Sequence, residues 1–176
     1  SGDIILAVAD HIVRRVAPNG FISTWLGTYS DAALTNGIGT AARFNTPYGV
    51  VVDQGTGLAY ISDYNNGAVR KVTAGGSVTT WLTGINSPMG SDIYGGYVWV
   101  CSFLGATQGV LKGQLSNGAK TTFVSASTFH KKNAFTSSGT MYVTGGQAIV
   151  KYVPPSTTRI VVCGDYSTSG FVDANG

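Results

Sequence analysis

The side chains that most often carry out chemistry in proteins are scarce in this sequence. It has two histidines, His11 and His130, two cysteines, Cys101 and Cys163, and eight acidic residues that are all aspartate. A zinc site takes three or four His, Cys or acidic ligands, and two isolated histidines do not supply one. Neither a Cys-x-x-Cys pair nor a Gly-x-Ser-x-Gly nucleophile elbow is present. We therefore predict a protein that is not an enzyme and that has no catalytic residue, metal or cofactor.

Four basic residues form a second group of interest, and their spacing reveals an internal repeat. Each lies 11 residues before a large apolar residue, in the pairs Arg14 and Trp25, Arg70 and Trp81, Lys112 and Phe123, and Lys151 and Val162. Turn-forming dipeptides follow in every copy, namely Asn19-Gly20, Gly75-Gly76, Asn117-Gly118 and Ser156-Thr157. The first three favour two-residue hairpin turns in which both residues have positive φ, whereas the fourth follows two prolines and predicts a longer hairpin.

Short apolar segments before each hairpin predict further strands. Strand B is predicted at residues 4–10, 58–63, 97–102 and 140–145. Strand A is predicted at residues 50–53, 91–94 and 129–136, and it has no counterpart in the first copy. The hairpin supplies strands C and D of each copy. Near-continuous apolar runs favour sheets that are covered on both faces.

The distances between copies indicate the fold class. The basic residues of successive copies are 56, 42 and 39 residues apart, and the first step is longer because residues 28–46 form an extended linker. The other two steps are typical of the roughly 40–50-residue period of a four-stranded propeller blade. We therefore predict an all-β domain over residues 1–176, built of about four four-stranded β-propeller blades. The repeats cover approximately residues 4–36, 37–84, 85–128 and 129–176, and the first blade lacks its innermost strand.

One copy resembles the NHL repeat. Its Gly39-Thr40-Ala41-Ala42-Arg43-Phe44-Asn45, Pro47-Tyr48-Gly49-Val50-Val51-Val52-Asp53, Tyr60-Ile61-Ser62-Asp63 and Val69-Arg70-Lys71-Val72 are similar to that family's linker and strand patterns. The resemblance implies a β-propeller, often six-bladed, that binds ligands on its faces, commonly proteins. In some members the ligand is RNA, and a few relatives are enzymes, including a zinc-dependent amidating lyase.

Both ends of the chain fall inside a repeat. The sequence opens in strand B and closes with Gly164-Asp165-Tyr166-Ser167, which parallels Gly27-Thr28-Tyr29-Ser30. Two expectations follow: the chain is a fragment of a longer NHL-type ligand-binding protein, or copies of it complete one another's blades and form a ring or filament. An uncovered inner strand edge favours pairing with another chain.

The loop between strands B and C holds the first candidate binding residues. These are Tyr64, Asn65 and Asn66 in the second copy and Phe103, with Leu104 and Gly105, in the third. Loops carry function more often than strands do. Asn65-Asn66-Gly67 is also simply a good turn.

The basic residues Arg14, Arg70, Lys112 and Lys151 are the second candidate binding set, a ring for an anionic partner. The alternative is a solvated face whose long stems cover apolar neighbours. The large residues of strand D form either an aromatic binding groove or, as we expect, contacts between blades; they are Trp25, Trp81, Phe123 and Val162. Asp10 and Asp63 either belong to a ligand or calcium ring or cap backbone amides in turns. Cys101 and Cys163 form either a disulfide between neighbouring blades or two buried thiols.

Composition narrows the class of partner. Charged residues make up 11% of the chain and the net charge is +3, without a dense basic run, so we expect no nucleic-acid partner. No apolar stretch approaches the 18 residues of a membrane span. We predict an extracellular or cell-surface module whose propeller surface contacts proteins, glycans or copies of itself. A propeller hydrolase or lyase is the alternative.

Overall fold

The computed structural model describes residues 2–103, 108–125, 130–146 and 148–164, and these contain sixteen β-strands and one 3₁₀ turn, Gly39–Ala41. The first eight strands are β1 (Ile4–Val8), β2 (Ile12–Val16), β3 (Ile22–Gly27), β4 (Gly37–Ile38), β5 (Pro47–Val52), β6 (Ala59–Asp63), β7 (Ala68–Val72) and β8 (Ser77–Leu82). The next eight are β9 (Pro88–Tyr94), β10 (Tyr97–Ser102), β11 (Gly109–Gln114), β12 (Lys120–Ser125), β13 (Lys132–Phe135), β14 (Met141–Gly145), β15 (Ala148–Tyr152) and β16 (Ile160–Gly164).

The strands form four antiparallel sheets, which we call blades 1 to 4. Blade 1 has the order β1-β2-β3, blade 2 β4-β8-β7-β6-β5, blade 3 β12-β11-β10-β9, and blade 4 β13-β14-β15-β16. Blades 2 to 4 each contain strands A to D in chain order. Blade 1 begins at strand B, and the described residues provide no strand A for it. The predicted all-β architecture of four propeller blades, with the first one incomplete, is confirmed.

The hydrophobic core lies between blades because successive side chains of a strand point to opposite faces of its sheet. Ile61 packs in the cluster shared by blades 1 and 2, and its neighbour Tyr60 packs in the cluster shared by blades 2 and 3. A third cluster joins Trp99 of blade 3 to Met141 of blade 4. Blades 2 and 3 are therefore covered on both faces, as their near-continuous apolar strands predict.

The large residue of strand D lies at a β-bulge in every blade. Trp25, Trp81 and Phe123 pack against the first, second and third core clusters. Their predicted role in blade-to-blade packing is confirmed. The prediction is wrong for Val162, which is 49% exposed because it lies on blade 4, where the described residues provide no next blade.

The two Pro-x-Gly sequences let inner strands of neighbouring blades approach each other. A Cβ atom added to Gly49 would lie 2.3 Å from the carbonyl oxygen of Met89, and one added to Gly90 would lie 2.7 Å from the Cα of Lys132. Only glycine allows this separation. Gly90 also donates its amide hydrogen to the carbonyl of Lys131, at 2.8 Å.

The hairpins between strands C and D differ from the predicted two-residue turns. In the Asn-Gly turns only the glycines, Gly20 and Gly118, have positive φ, at 83° and 71°. The asparagine side chains instead accept the amide hydrogens of Phe21 and Ala119, two residues further on. These local hydrogen bonds stabilise longer loops, because an Asn side chain can imitate a backbone turn. The fourth hairpin is long, as predicted.

The linker 28–46 contains the short strand β4, which the sequence did not predict. Its Gly37 and Ile38 pair with Val78 and Ser77 on the outer edge of blade 2. The linker from blade 1 therefore crosses the outside of the next blade before it enters strand A.

The outward faces of blades 1 and 4 lack a neighbouring blade in the described structure. Leu6 is 44% exposed, whereas Ile61, at the equivalent position of blade 2, is fully buried. Tyr142 of blade 4 is 37% exposed, whereas its equivalent Tyr60 is 1% exposed. Each of these two repeat positions is thus buried in blade 2, which lies between other blades, and exposed in the blade at one end of the arc.

Candidate functional site

The four predicted basic residues do not share one register. Arg14 and Arg70 lie directly opposite Thr24 and Thr80, beside the strand D bulge. Lys112 lies one position further from the bulge, and so does Lys151, opposite Ile160. The cause is one extra residue in the C–D hairpins of blades 3 and 4. It lies on the path from the strand C residue beside the bulge, through the hairpin, to the bulge on strand D.

A one-residue shift moves a side chain to the other face of its sheet. The position equivalent to Arg70 is therefore held by Leu111 in blade 3 and by Val150 in blade 4. The predicted single basic ring is wrong, and the four residues fall on two faces.

Arg70 is completely buried and cannot meet an external ligand. Its Nη1 donates to the carbonyl of Arg43 at 2.8 Å and to Asp63 Oδ2 at 3.0 Å. Its Nη2 donates to the carbonyl of Thr35 and to Asn36 Oδ1, both at 2.9 Å. Neither the anion-binding role nor the alternative of a solvated face describes this residue. It fastens the linker to blade 2.

Asp63 has the turn-capping role that was the alternative to ligand binding. It accepts the amide hydrogen of Asn45 at 2.7 Å and the side-chain amide of Asn66 at 2.8 Å. Burial raises the pKa of Asp63, and the hydrogen bonds from Asn66, Asn45 and Arg70 oppose that shift. Asp10 lies in an exposed turn after β1, and Val8 occupies the position equivalent to Asp63. An aspartate ring does not form.

The other basic candidates are half-buried. The ammonium group of Lys112 lies 4.6 Å from the ring centroid of Tyr97 and 5.1 Å from that of Trp99, which is the geometry of a cation–π contact. Lys151 and Arg14 are partly open to solvent. Of the four, these two remain available to a partner, one at each end of the arc.

Of the two alternatives for the cysteines, the disulfide does not form, since Cys101 and Cys163 are both free thiols. Cys101 is buried between blades 3 and 4, where burial raises its pKa. Cys163 lies opposite Ile149, on the face of blade 4 that points away from blade 3, and is exposed. The sheet of blade 4 separates the two sulfur atoms, so the alternative of two buried thiols is right only for Cys101.

The two histidines lie apart and have different surroundings. His11 has φ of 68°, and its Nδ1 accepts the amide hydrogen of Thr46 at 3.0 Å. His130 is buried, with Nε2 3.3 Å from the hydroxyl of Tyr152. His11 thereby fixes the end of the linker that enters blade 2.

The predicted loop residues of blade 2 come together in a pocket between blades 2 and 3. Its volume is about 480 Å³, within the ~300–1,000 Å³ of small-molecule sites. All seven residues that line it are uncharged: Tyr64, Asn65, Asn66, Gly67, Ile85, Asn86 and Ser87. We call this the loop pocket. A second cavity, of about 360 Å³, lies on the open face of blade 4.

Hydrogen bonds hold the loop that forms one wall of the pocket. Asn65 Nδ2 donates to Thr46 Oγ1 at 2.9 Å, and Asn66 Nδ2 donates to the carbonyl of Ala33 at 2.9 Å. Gly67 has φ of 59° and accepts the amide hydrogen of Ile85 at 3.0 Å. The loop is therefore fixed to the linkers on both of its sides, and its shape exists before a ligand arrives.

The other wall comes from the connection between blades 2 and 3. Asn86 is exposed, while Ser87 has φ of 49° and precedes Pro88. Asn86 and Ser87 were not predicted as site residues from the sequence. Their signal was the repeated Asn-(Thr/Ser)-Pro before strand A, which also occurs at residues 45–47.

The chemistry of the loop pocket is that of neutral hydrogen bonding beside an aromatic ring. Asn65 and Asn66 each donate both side-chain amide hydrogens within the protein, so they offer a ligand their Oδ1 acceptors, whereas the Asn86 amide has donors and an acceptor. The Tyr64 ring adds an apolar face, and the ring of Tyr48, which is 54% exposed, lies 6.2 Å from it. The arrangement suits a polar, uncharged ligand with alternating hydroxyl groups and apolar C–H faces.

Phe103 occupies the equivalent loop position in blade 3 but does not line the loop pocket. Its amide donates to the carbonyl of Ser87, as that of Tyr64 donates to Thr46. The Lys131 ammonium lies 5.8 Å from the Phe103 ring centroid. The neighbouring candidates Leu104 and Gly105 lie outside the described residues.

The described part of the chain contains no group of three or more His, Cys, Asp or Glu side chains that could hold a metal ion. None of its helices is long and apolar enough to cross a membrane.

Solved structures share the fold of this chain at low sequence identity. A chain of a nidogen–laminin complex is 13% identical, with a TM-score of 0.71 over 93% of this chain and 62% of that one. An auxiliary nutrient binding protein from Bacteroides thetaiotaomicron is 16% identical, with a TM-score of 0.73 over 97% of this chain and 41% of its own. A gluconolactonase from Xanthomonas campestris is 13% identical, with a TM-score of 0.66 over 85% and 54%.

These likenesses support a β-propeller fold, and the chain spans between 41% and 62% of the length of these three chains. No family model matches the sequence. No curated protein matches it either.

Proposed function

We propose that this chain is a non-enzymatic, extracellular binding module of the NHL type and that its loop pocket binds a glycan. The observation that carries the proposal is the lining of the loop pocket, in which Asn65, Asn66 and Asn86 occur beside Tyr64 without any charged group. Sugar hydroxyls can donate to the Oδ1 atoms of Asn65 and Asn66, and they can both donate to and accept from the Asn86 amide. The C–H face of a sugar matches the face of a tyrosine ring.

The position of the pocket supports the same function. It lies at the loops that join strand B to strand C and one blade to the next, and such loops on a rigid scaffold carry much of protein function. Because the loop is already hydrogen-bonded to both linkers, binding costs little ordering of the protein.

The NHL assignment rests on residues whose roles the fold explains. Gly49 and Gly90 permit the close approach of inner strands, and Asp63 fastens the start of strand A. These are the Pro-x-Gly and strand B aspartate positions of the resemblance. The extracellular location rests on the low charge of the chain and its richness in glycine, serine, threonine and tyrosine.

A glycan array with purified protein tests the function. We expect retention of a defined subset of uncharged saccharides, and Tyr64→Ala should weaken that binding about tenfold or more, since loss of one buried ring contact and its hydrogen bond has this size. Phe103→Ala is the matched control because it removes an aromatic ring from the same loop of blade 3, outside the pocket. It should bind as the wild type does.

Three results would overturn the proposal. They are the absence of saccharide binding, saccharide binding that Tyr64→Ala leaves unchanged, and hydrolysis of the bound saccharide or of a lactone. The last result would favour the hydrolase alternative. Binding of a protein in place of a glycan, lost in Tyr64→Ala, would keep the site but refute the ligand class.

A further inference from the structure

Blade 1 repeats a linker-binding site that is occupied in blade 2. In blade 2, Asn36 of the linker accepts hydrogen bonds through its Oδ1 atom from Arg70 Nη2 at 2.9 Å and from the amide and hydroxyl of Thr80 at 2.9 and 3.1 Å. Gly37, the next residue, then pairs with Val78. An arginine and a threonine thus seat an Asn-Gly sequence on the outer edge of the blade.

The same two side chains recur in blade 1. Arg14 lies opposite Thr24 beside the bulge at Trp25, as Arg70 lies opposite Thr80 beside the bulge at Trp81. Arg14 is half-buried, whereas Arg70, which the linker covers, is completely buried. The site that the linker fills in blade 2 is therefore partly open in blade 1.

Blades 3 and 4 show that the arginine accompanies a long linker. Their equivalent residues are Leu111 and Val150. The connections that lead into these blades span only residues 83–87 and 126–131, whereas residues 28–46 lead from β3 into β5 of blade 2. Among the four blades the arginine therefore occurs in blade 2, which receives a long linker, and in blade 1.

Residues 165–176, which lie outside the described structure, resemble the first long linker in sequence. They follow Gly164, whose φ of 81° matches the 82° of Gly27 at the start of that linker. Tyr166 and Ser167 match Tyr29 and Ser30, and Asn175-Gly176 repeats Asn36-Gly37 two positions later in the segment. The segment also carries two acidic residues, Asp165 and Asp173, which are opposite in charge to Arg14.

We propose that Arg14 and Thr24 form a docking site for residues 165–176 of a second copy of this chain. A second copy is favoured over the same chain because blades 1 and 4 lie at opposite ends of the arc, with blades 2 and 3 between them. The contact joins two different surfaces, so repetition makes a closed ring or a filament. The open faces of blades 1 and 4 then cover each other.

Sedimentation velocity of the full chain over a concentration series tests the proposal. The wild type should associate, and Arg14→Leu should weaken association about tenfold or more, as expected for loss of hydrogen bonds to a charged donor. Asn175→Ala should weaken association similarly. The double variant Arg14→Leu with Asn175→Ala should associate as tightly as either single variant. Lys71→Gln, which removes one positive charge from blade 2, is the control and should associate normally.

A competition experiment adds an independent readout. A synthetic peptide of residues 164–176 should dissociate the wild-type assembly, and a peptide of the same composition in scrambled order should not. A chain that stays monomeric at all concentrations would overturn the proposal, as would association that Arg14→Leu leaves unchanged. Arg14 lies outside the loop pocket, so Arg14→Leu should still bind saccharide. Measuring both association and saccharide binding of this variant therefore distinguishes a failure of the docking proposal from a failure of the proposed function.

Discussion

Replacing Arg70 by leucine should destabilise the protein strongly, although blade 3 carries leucine at the equivalent position. Arg70 donates four hydrogen bonds, to Asp63, to Asn36 and to two linker carbonyls, and it is completely buried. Arg70→Leu leaves the buried carboxylate of Asp63 without its cation and unfastens the linker. Removing one partner of a buried ion pair costs about 3–5 kcal/mol, so we expect a loss of that size in the free energy of unfolding.

Urea unfolding followed by tryptophan fluorescence measures the effect, since Trp25, Trp81 and Trp99 report on blades 1, 2 and 3. Far-UV circular dichroism in the same samples checks that the transition is two-state. Arg14→Leu is the matched control, because it makes the same change at the equivalent position of blade 1, where no carboxylate lies opposite. It should change the free energy of unfolding by no more than about 0.5 kcal/mol.

A double variant separates the ion pair from simple loss of packing. Blade 3 has Ser102 and Leu111 where blade 2 has Asp63 and Arg70. Asp63→Ser combined with Arg70→Leu should therefore be more stable than Arg70→Leu alone by about 1–2 kcal/mol, because no unpaired charge stays buried. Equal stability of the single and double variants would show that the unpaired Asp63 carboxylate is not the cause of the loss.

The pH dependence gives a further check on the same variant. Burial already raises the pKa of Asp63, and loss of Arg70 should raise it further. A carboxyl whose pKa is raised by folding loses stability as the pH rises from its unfolded pKa through its folded pKa. The destabilisation by Arg70→Leu should therefore be larger at pH 7 than at pH 4, and a constant difference would contradict this account.

Three other predictions concern packing and exposure. Trp81→Ala should lower the free energy of unfolding by about 3 kcal/mol, because the ring fills the contact between blades 2 and 3. Val162→Ala, at the equivalent exposed position of blade 4, should change the free energy of unfolding by less than about 0.5 kcal/mol in the same urea assay. Gly90→Ala should cost about 1–3 kcal/mol, since its Cβ would lie 2.7 Å from a backbone atom of strand β13; an unchanged unfolding midpoint would contradict this. Under native conditions a thiol reagent should modify Cys163 and spare Cys101, and modification of both at similar rates would show that the interface between blades 3 and 4 opens.

The repeat and its strands were predictable because they depend on local sequence. The hairpin turns, the strand D aromatics and the absence of strand A in blade 1 all follow from spacing. What was not predictable is the face on which each side chain lies. A one-residue difference in the C–D hairpins moved Lys112 and Lys151 off the face of Arg14 and Arg70, and equal sequence spacing conceals that shift.

Only one wall of the loop pocket, the loop between strands B and C, was predictable from the sequence. The turn-forming residues Tyr64, Asn65 and Asn66 identified the loop between strands B and C. Asn86 contributes from the next connection, about 20 residues later, and only the packing of blade 3 against blade 2 brings it there. Long-range contacts of this kind, like the pairing of β4 with β8, come from tertiary structure and leave little trace in local sequence.

Chemical-shift mapping tests whether the loop pocket binds a saccharide. A titration of ¹⁵N-labelled protein with a saccharide retained on the array follows the side-chain amides of Asn65, Asn66 and Asn86 and the backbone amide of Tyr64. We expect the largest shift changes at these groups, saturating with the affinity measured on the array. Shift changes centred on Arg14 or on the open face of blade 4, with the loop pocket silent, would contradict the account.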